Sequence, residues 1–86
     1  MPEKFNISSY FSDADRKALK KAVRNSNLPE GVSIVSSAEI EGAQKPFVFV
    51  AAALTAEDAR KAFRNGAINC VAFTYDMDEL TRRLND

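Results

Sequence analysis

The chain has 86 residues, with twelve basic and twelve acidic side chains, no histidine and one cysteine. Zero net charge supplies no overall field that would attract nucleic acid or an anionic membrane. The absence of histidine together with a single cysteine excludes the usual zinc sites and His-dependent triads. A single cysteine cannot form an internal disulfide, which favours a reducing cytosol.

The length predicts one small domain over residues 1–86, because a chain of this size buries only about 60–65% of the surface that its unfolded form exposes. The longest strongly apolar run, Pro46–Leu54, is too short to span a bilayer. The first residues lack the basic-then-apolar layout of a signal peptide. We therefore expect a cytoplasmic domain without a membrane segment.

The N-terminal half predicts a strand, a helix and a second strand. Apolar and polar residues alternate over residues 4–11, as in a strand with one half-polar face. Ser12 is a good N-cap, and apolar residues at helical spacing predict a helix that ends around Asn25 to Asn27. Val32–Ser36 has the alternation of a second strand. The outer side of the predicted helix carries five basic residues, Arg16, Lys17, Lys20, Lys21 and Arg24.

The C-terminal half predicts a strand, a helix, a strand and a helix. Phe47–Leu54 is almost wholly apolar, as expected for a strand covered on both faces of a parallel sheet. Thr55 caps the helix that follows, and Gly66 ends it. Ala67–Thr74 is another buried strand, and Asp76 caps the last helix. The inward-facing residues predicted for these two helices are Ala59, Ala62 and Phe63, and then Met77, Leu80 and Leu84.

Strands that alternate with helices predict a parallel sheet with right-handed crossovers. We predict a three-layer α/β fold with a mainly parallel four-stranded sheet in the order 2-1-3-4, a truncated flavodoxin-like arrangement. The segment Ser37–Lys45 has no clear periodicity and is interpreted as a turn of helix and a loop. It is short for a connection between parallel neighbours, which needs about a dozen residues.

Residues 46–84 carry several features in one register. A proline precedes an apolar strand, the next helix ends at a glycine followed by alanine, and an acidic residue precedes a last helix that contains Glu-Leu. The residues concerned are Pro46, Phe47–Val50, Ala62, Gly66, Ala67, Asp76, Glu79 and Leu80. This pattern resembles the second half of the receiver domain of bacterial two-component signalling, and the N-terminal half resembles the family more loosely.

The residues that perform receiver chemistry are replaced. The metal-binding acidic pair of the family corresponds to Phe11–Ser12, with Asp13 beyond it. The switch Thr or Ser corresponds to Ala51 and the invariant Lys to Phe73, and the unit that carries the phosphoacceptor aspartate has no counterpart. Phosphoryl transfer needs a positioned carboxylate, a metal and a cation. The resemblance therefore implies a shortened pseudo-receiver that is not an enzyme and uses no metal or cofactor.

In receivers, this strand end and its flanking helices form a common docking surface. Here it carries the aromatic pair Phe73 and Tyr75, a composition typical of an interface anchor with a charged rim. The bordering cations are Arg60, Arg64, Arg82 and Arg83. The resemblance implies a signalling adaptor of a bacterial cytosol that binds a protein partner, namely a second copy of itself, a kinase or a receiver-binding protein.

Alternatives to these interpretations remain open at this point. Asp13 and Asp15 are remnants of a metal site or, as we favour, residues that stabilise a helix start. Cys70 is redox-active or, as we favour, a buried structural thiol. The basic first helix suggests a small nucleic-acid-associated protein, although zero net charge argues against it. The half-polar strand suggests an accessory subunit that a larger enzyme partner covers.

Overall fold

A computed structural model describes residues 5–29 and 31–85. These residues form four strands, three α-helices and one short 3-10 helix. In chain order they are β1 (Asn6–Ile7), α1 (Asp13–Arg24), β2 (Ser33–Val35), the 3-10 helix (Ser37–Glu39), β3 (Phe47–Ala51), α2 (Ala56–Arg64), β4 (Ala67–Ala72) and α3 (Met77–Asn85).

Each α-helix begins where the sequence predicts, because a side-chain oxygen just before it accepts an otherwise unpaired amide of the first turn. The acceptors are Ser12, Thr55 and Asp76, and the donors are the amides of Asp15, Asp58 and Glu79, at 3.2, 3.1 and 3.2 Å. Gly66 follows α2 with φ of +105°, as predicted for a glycine that ends a helix. The local signals therefore determine the helix boundaries.

The strands are shorter than predicted. The first covers only Asn6–Ile7 rather than residues 4–11, of which Lys4 lies outside the described residues. The amide of Tyr10 donates to the Ser8 hydroxyl oxygen at 3.0 Å, a local turn that competes with strand pairing. In the C-terminal half, β3 ends at Ala51 and β4 at Ala72, each two or three residues earlier than the apolar run.

The four strands form one parallel sheet, which confirms the predicted α/β class. The strand order, however, is β1-β2-β3-β4 and differs from the predicted order 2-1-3-4. Ile34 of β2 pairs with Val48 of β3, so β1 lies at the edge of the sheet. The connection between these strands contains only a 3-10 turn and steps to the immediate neighbour, whereas the predicted order requires a longer return over β1.

Helices cover the two faces of the sheet unequally. On one face, here called the helix-paired face, α1 and α3 pack on the sheet around a core of Leu19, Ala22, Val23, Val32, Ile34, Val48, Val50, Val71, Leu80 and Leu84. On the other, the single-helix face, α2 and the β2–β3 connection cover a smaller core of Val35, Ile40, Phe47, Phe49 and Ala62. The result is the predicted three-layer arrangement, with one layer incomplete.

The two helical crossovers have opposite hands. The units β1–α1–β2 and β3–α2–β4 both step in the same direction across the sheet. Their helices lie on opposite faces, since α1 contributes to the core of the helix-paired face and α2 to that of the single-helix face. Two parallel crossovers with this geometry cannot share a hand. The prediction that all crossovers are right-handed is therefore wrong for one of them.

The inner face of α2 is narrower than predicted. Ala62 is fully buried, but the side chain of Phe63 is 52% exposed rather than inward-facing. On the single-helix face no second α-helix of the described chain lies beside α2 to cover the flank that carries Phe63. The helical periodicity of the sequence does not report this missing neighbour.

Candidate functional site

The junction between β4 and α3 carries four of the six interface residues that the sequence singles out, Phe73, Tyr75, Arg82 and Arg83. Phe73 continues the ladder beyond β4, because its amide donates to the Ala51 carbonyl at 2.8 Å. Three residues later Asp76 caps α3. Strand and helix thus fix both ends of a short turn. We call the side chains around it the aromatic–arginine patch, which consists of Phe73, Tyr75, Glu79, Arg82 and Arg83.

The two aromatic rings of the patch are stacked edge to face. The ring centroids of Phe73 and Tyr75 lie 4.9 Å apart, with an interplanar angle of 89°. Phe73 packs against the core of the helix-paired face, whereas Tyr75 is 66% exposed. Edge-to-face pairs contribute about 0.5–1.5 kcal/mol beyond their buried area. The partly buried Phe73 ring therefore holds the exposed Tyr75 ring in a defined orientation.

The hydroxyl group of Tyr75 joins the patch to the first turn of α1. It donates to Asp15 Oδ1 at 2.5 Å. This hydrogen bond, with a smaller contribution from burial and from the carboxylate charge, raises the pKa of Tyr75 above its ordinary value. Asp15 thus has two roles, since its amide also completes the Ser12 cap. The second role was not predicted, because it joins residues far apart in the chain.

Glu79 organises the two arginines of the patch. Its Oε2 accepts from Arg82 Nη2 at 2.5 Å, and its Oε1 accepts from Arg83 Nε at 3.1 Å. The hydrogen bonds from Arg82 and then Arg83 lower the pKa of Glu79, so the carboxylate stays charged. The spacings of three and four residues place all three side chains on one side of α3. The charged rim is therefore an ordered network.

Arg83 also reaches the strand. Its Nη1 donates to the Ala72 carbonyl oxygen at 2.8 Å. Asn69 supplies a matching contact, since its Oδ1 accepts the Cys70 amide at 2.9 Å and its Nδ2 donates to the Arg83 carbonyl at 3.2 Å. Sequence reasoning missed Asn69. A single polar residue within the apolar run of β4 was the available signal.

Arg60 and Arg64 lie apart from the aromatic–arginine patch. They belong to α2 on the single-helix face, whereas α3 lies on the helix-paired face. Together with Glu41, Glu57, Lys61 and Asn65 they line an open groove of about 720 Å³. Lys61 Nζ is 3.0 Å from Glu41 Oε1, which ties α2 to the β2–β3 connection. The six predicted interface residues thus form two groups on opposite sides of β4.

A second open groove, of about 410 Å³, lies beside β1 and β2 on the single-helix face. Polar residues that line it include Asn6, Ser8 and Ser33, in agreement with the half-polar pattern of the first strand. Glu39 also lines this groove, and its Oε1 is buried without a hydrogen-bond partner among the described residues. The β2–β3 connection therefore leaves this part of the sheet face incompletely covered.

The remaining candidates occupy ordinary structural positions. Asp13 is the first residue of α1, where a negative charge favours the helix N-terminus. Cys70 is half-buried, its Sγ lies 3.8 Å from the Ala59 carbonyl oxygen, and burial raises the pKa of its thiol. All five basic residues of α1 are exposed, as predicted: Arg16, Lys17, Lys20, Lys21 and Arg24.

Metal-binding clusters and membrane-spanning helices are both absent from the part of the chain that the structure describes. In residues 5–29 and 31–85, no three His, Cys, Asp or Glu side chains lie close enough to hold a metal ion together. No helix in the same ranges combines the length and apolar character needed to cross a membrane.

Comparison with known proteins adds no relative. A scan against protein-family models finds no matching family, and searches of curated proteins and of solved structures also find no match. The geometry of the chain's own side chains is therefore the basis for a functional proposal.

Proposed function

We propose that the protein is a non-catalytic signalling adaptor that binds a protein partner through the surface at the junction of β4 and α3, whereas the predicted α2 residues lie on the opposite face of the sheet. The aromatic–arginine patch supplies the anchor of this surface. The observation that carries the proposal is the state of Tyr75, which is 66% exposed although a ring contact and a hydrogen bond hold it in place. A partner that covers an ordered aromatic ring immobilises few additional side chains.

The surroundings of Tyr75 support this proposal. Interfaces typically combine buried aromatic anchors with a charged rim, and Tyr and Arg are among the residues that contribute most to binding. The Glu79 network holds Arg82 and Arg83 in place on α3, the helix that follows Tyr75. The resemblance to receivers suggests the class of partner, namely a kinase, a receiver-binding protein or a second copy of the chain in a bacterial cytosol.

Substitution of Tyr75 tests the proposed surface. Tyr75→Ala removes the anchor and leaves the fold intact, because the ring is mostly exposed. Tyr10→Ala is the matched control, since Tyr10 is 70% exposed and lies beside the groove at β1 and β2. A photo-crosslinking residue placed at each position in cells of the source organism identifies the partner. We expect an adduct at position 75 and at least a tenfold loss of affinity in Tyr75→Ala.

The outcome that contradicts this surface is equal binding by Tyr75→Ala and the unmodified chain. The non-catalytic part of the proposal is tested separately. The protein is incubated with acetyl phosphate and magnesium, and its intact mass is then measured. We expect no phosphoryl adduct. A stable adduct on Asp13 or Asp15 would overturn that part.

The groove at β1 and β2 favours a second candidate function, that of an accessory subunit which a larger enzyme partner covers. A buried carboxylate oxygen without a partner is unfavourable, and Glu39 Oε1 is such an atom at this groove. A partner that covers the groove would satisfy it if the Glu39 side chain turned towards a donor of that partner. Asn6→Trp fills the groove from its exposed edge and is expected to abolish co-purification, whereas Tyr75→Ala is expected to retain it. The reverse result favours the adaptor.

A further inference from the structure

Strand β4 is an edge strand, and its backbone N–H and C=O groups point alternately towards β3 and away from it. In parallel sheets the amide and carbonyl of every second residue point to the same neighbour. The Phe73 amide donates to the carbonyl of Ala51, the last residue of β3, so the backbone N–H and C=O of Phe73 point towards β3. The intervening residues Ala72 and Cys70 therefore point away from β3. The sheet order β1-β2-β3-β4 places no strand on that side within the described chain.

Such an edge invites pairing with a strand of another chain. At six residues β4 is the longest strand that the structure describes, and its sequence AINCVA contains no charged residue and no proline. Ile68 is 47% exposed within it. The opposite edge, β1, has only two residues, and short edge strands are poor templates for pairing. The hazard of strand pairing is therefore concentrated at β4.

Two side chains occupy one outward donor and one outward acceptor of β4. Asn69 Oδ1 accepts the Cys70 amide at 2.9 Å, and Arg83 Nη1 donates to the Ala72 carbonyl oxygen at 2.8 Å. Glu79 Oε1 holds the same guanidinium group from the other end at 3.1 Å. The Asn69 amide group further donates to the Arg83 carbonyl at 3.2 Å, which links the two caps. These contacts satisfy donors and acceptors that an added strand would need.

We propose that Asn69 and Arg83 close the free edge of β4 against strand addition and that Glu79 positions Arg83 for this role. The partner excluded by this device is a strand of extended polypeptide, in particular β4 of a second copy of the chain. Loss of either cap exposes a backbone group that a second copy can pair with. This inference goes beyond the proposed adaptor function and does not depend on it, because it concerns backbone groups rather than the exposed Tyr75 ring.

The first test is self-association. Sedimentation equilibrium of the full chain compares the unmodified protein with Arg83→Ala. Arg82→Ala is the matched control, because it removes the neighbouring guanidinium group that Glu79 also binds. In a dimer related by a two-fold axis, the Ala72 carbonyl that the substitution frees is present once in each copy, so its effect on the association free energy is doubled. We therefore expect Arg83→Ala to dimerise about tenfold more tightly than the unmodified chain. Arg82→Ala is expected to match the unmodified chain.

The second test locates the new contact by amide hydrogen exchange. In Arg83→Ala at high protein concentration, the outward amide of Ala72 is expected to gain protection as pairing occurs. In a dilute solution of the Asn69→Ala variant, the Cys70 amide is expected to exchange faster than in the unmodified chain. Asn69→Asp is expected to restore protection, because aspartate keeps an acceptor oxygen at this position. The Phe73 amide, bonded to Ala51, is the internal reference for an intact sheet.

Asn69→Ala keeps the inference testable if Arg83→Ala fails to fold, since it removes a cap without changing the Arg83 side chain. Two results overturn the inference. The first is a folded variant, with the Phe73 amide still protected, whose dimerisation constant equals that of the unmodified chain. The second is tighter association without new protection at Ala72, because the contact then lies elsewhere. Loss of Tyr75-dependent partner binding affects only the adaptor proposal.

Discussion

The two faces of the sheet are built from the same strands but are covered differently. On the helix-paired face, α1 and α3 pack on the sheet and on each other, and residues such as Leu80 and Val48 are fully buried. On the single-helix face, α2 shares the cover with an eleven-residue connection, Ser36 to Pro46, that holds only a 3-10 turn. Phe63 remains half exposed there, and a groove of about 410 Å³ opens beside β1 and β2.

This difference shows that a helix needs a neighbour as well as an apolar side. Both α2 and α3 have apolar residues at helical spacing, yet only α3 packs beside another helix, α1. The burial of a flank residue depends on that neighbour, because a helix alone on a sheet contacts it along a narrow strip. Part of the sheet on the single-helix face is consequently left without a helix over it.

The largest expected effect on stability comes from shortening one side chain on each face of the sheet, a buried one on the helix-paired face and a half-exposed one on the single-helix face. Leu80→Ala removes a fully buried side chain from the helix-paired face and should lower the free energy of unfolding by about 2–5 kcal/mol. Phe63→Ala removes a half-exposed ring from the single-helix face and should cost about 1 kcal/mol. Urea titration at equilibrium measures both. Equal costs would show that the two faces are equally well packed.

Gly66 tests how the connection is fitted to the single-helix face. Its φ is +105°, and an added Cβ would lie 2.4 Å from Lys45 Cε in the connection. Gly66→Ala should therefore cost about 1–3 kcal/mol. Gly42→Ala is the control, because Gly42 has φ of +84° but no atom within 4 Å of the added Cβ.

A second substitution isolates the part of the stability cost of Gly66→Ala that comes from the contact with Lys45. Lys45→Ala combined with Gly66→Ala removes the overlap and should reduce the cost to that of Gly42→Ala, which reflects backbone conformation alone. Thermal unfolding is measured for the unmodified protein, Gly66→Ala, Gly42→Ala and the double variant. If the double variant is as unstable as Gly66→Ala alone, the Lys45 contact has no part in the effect.

The caps of α1 and α2 offer a smaller but local comparison. Ser12→Ala and Thr55→Ala each remove one side-chain acceptor and should each cost about 1 kcal/mol of unfolding free energy. The loss should remain local in α2, since no helix packs beside it. We expect faster amide exchange through the first turn of α2 in Thr55→Ala than through that of α1 in Ser12→Ala. Equal exchange in the two turns would contradict this expectation.

The smallest expected effect concerns pH and the contact between Tyr75 and Asp15. The hydrogen bond raises the pKa of Tyr75, so its contribution to stability is complete below the ordinary tyrosine pKa and is lost as the pH rises through the raised value. Asp15→Asn should return the pKa of Tyr75 towards its ordinary value. Phenolate absorbance during an alkaline titration measures it, with Tyr75→Phe identifying the signal. An unchanged titration in Asp15→Asn would exclude this cause.

The candidate site was only partly predictable. The sequence singles out Phe73 and Tyr75 and the arginines around them, because aromatic and basic residues cluster near one strand end. It does not show that Arg83 bonds to the strand or that Tyr75 bonds to Asp15, sixty positions away. It also groups Arg60 and Arg64 with residues that lie on the other side of the sheet.

Local chemistry along the chain determined the α/β class, the three helix starts and the turn at Gly66, because caps, glycine conformation and hydrophobic spacing act over a few residues. Only the tertiary structure decided that β2 lies beside β3, that the two crossovers have opposite hands and that Phe63 is left exposed. These outcomes depend on which surfaces compete for burial across the whole sheet. No window of adjacent residues contains that information.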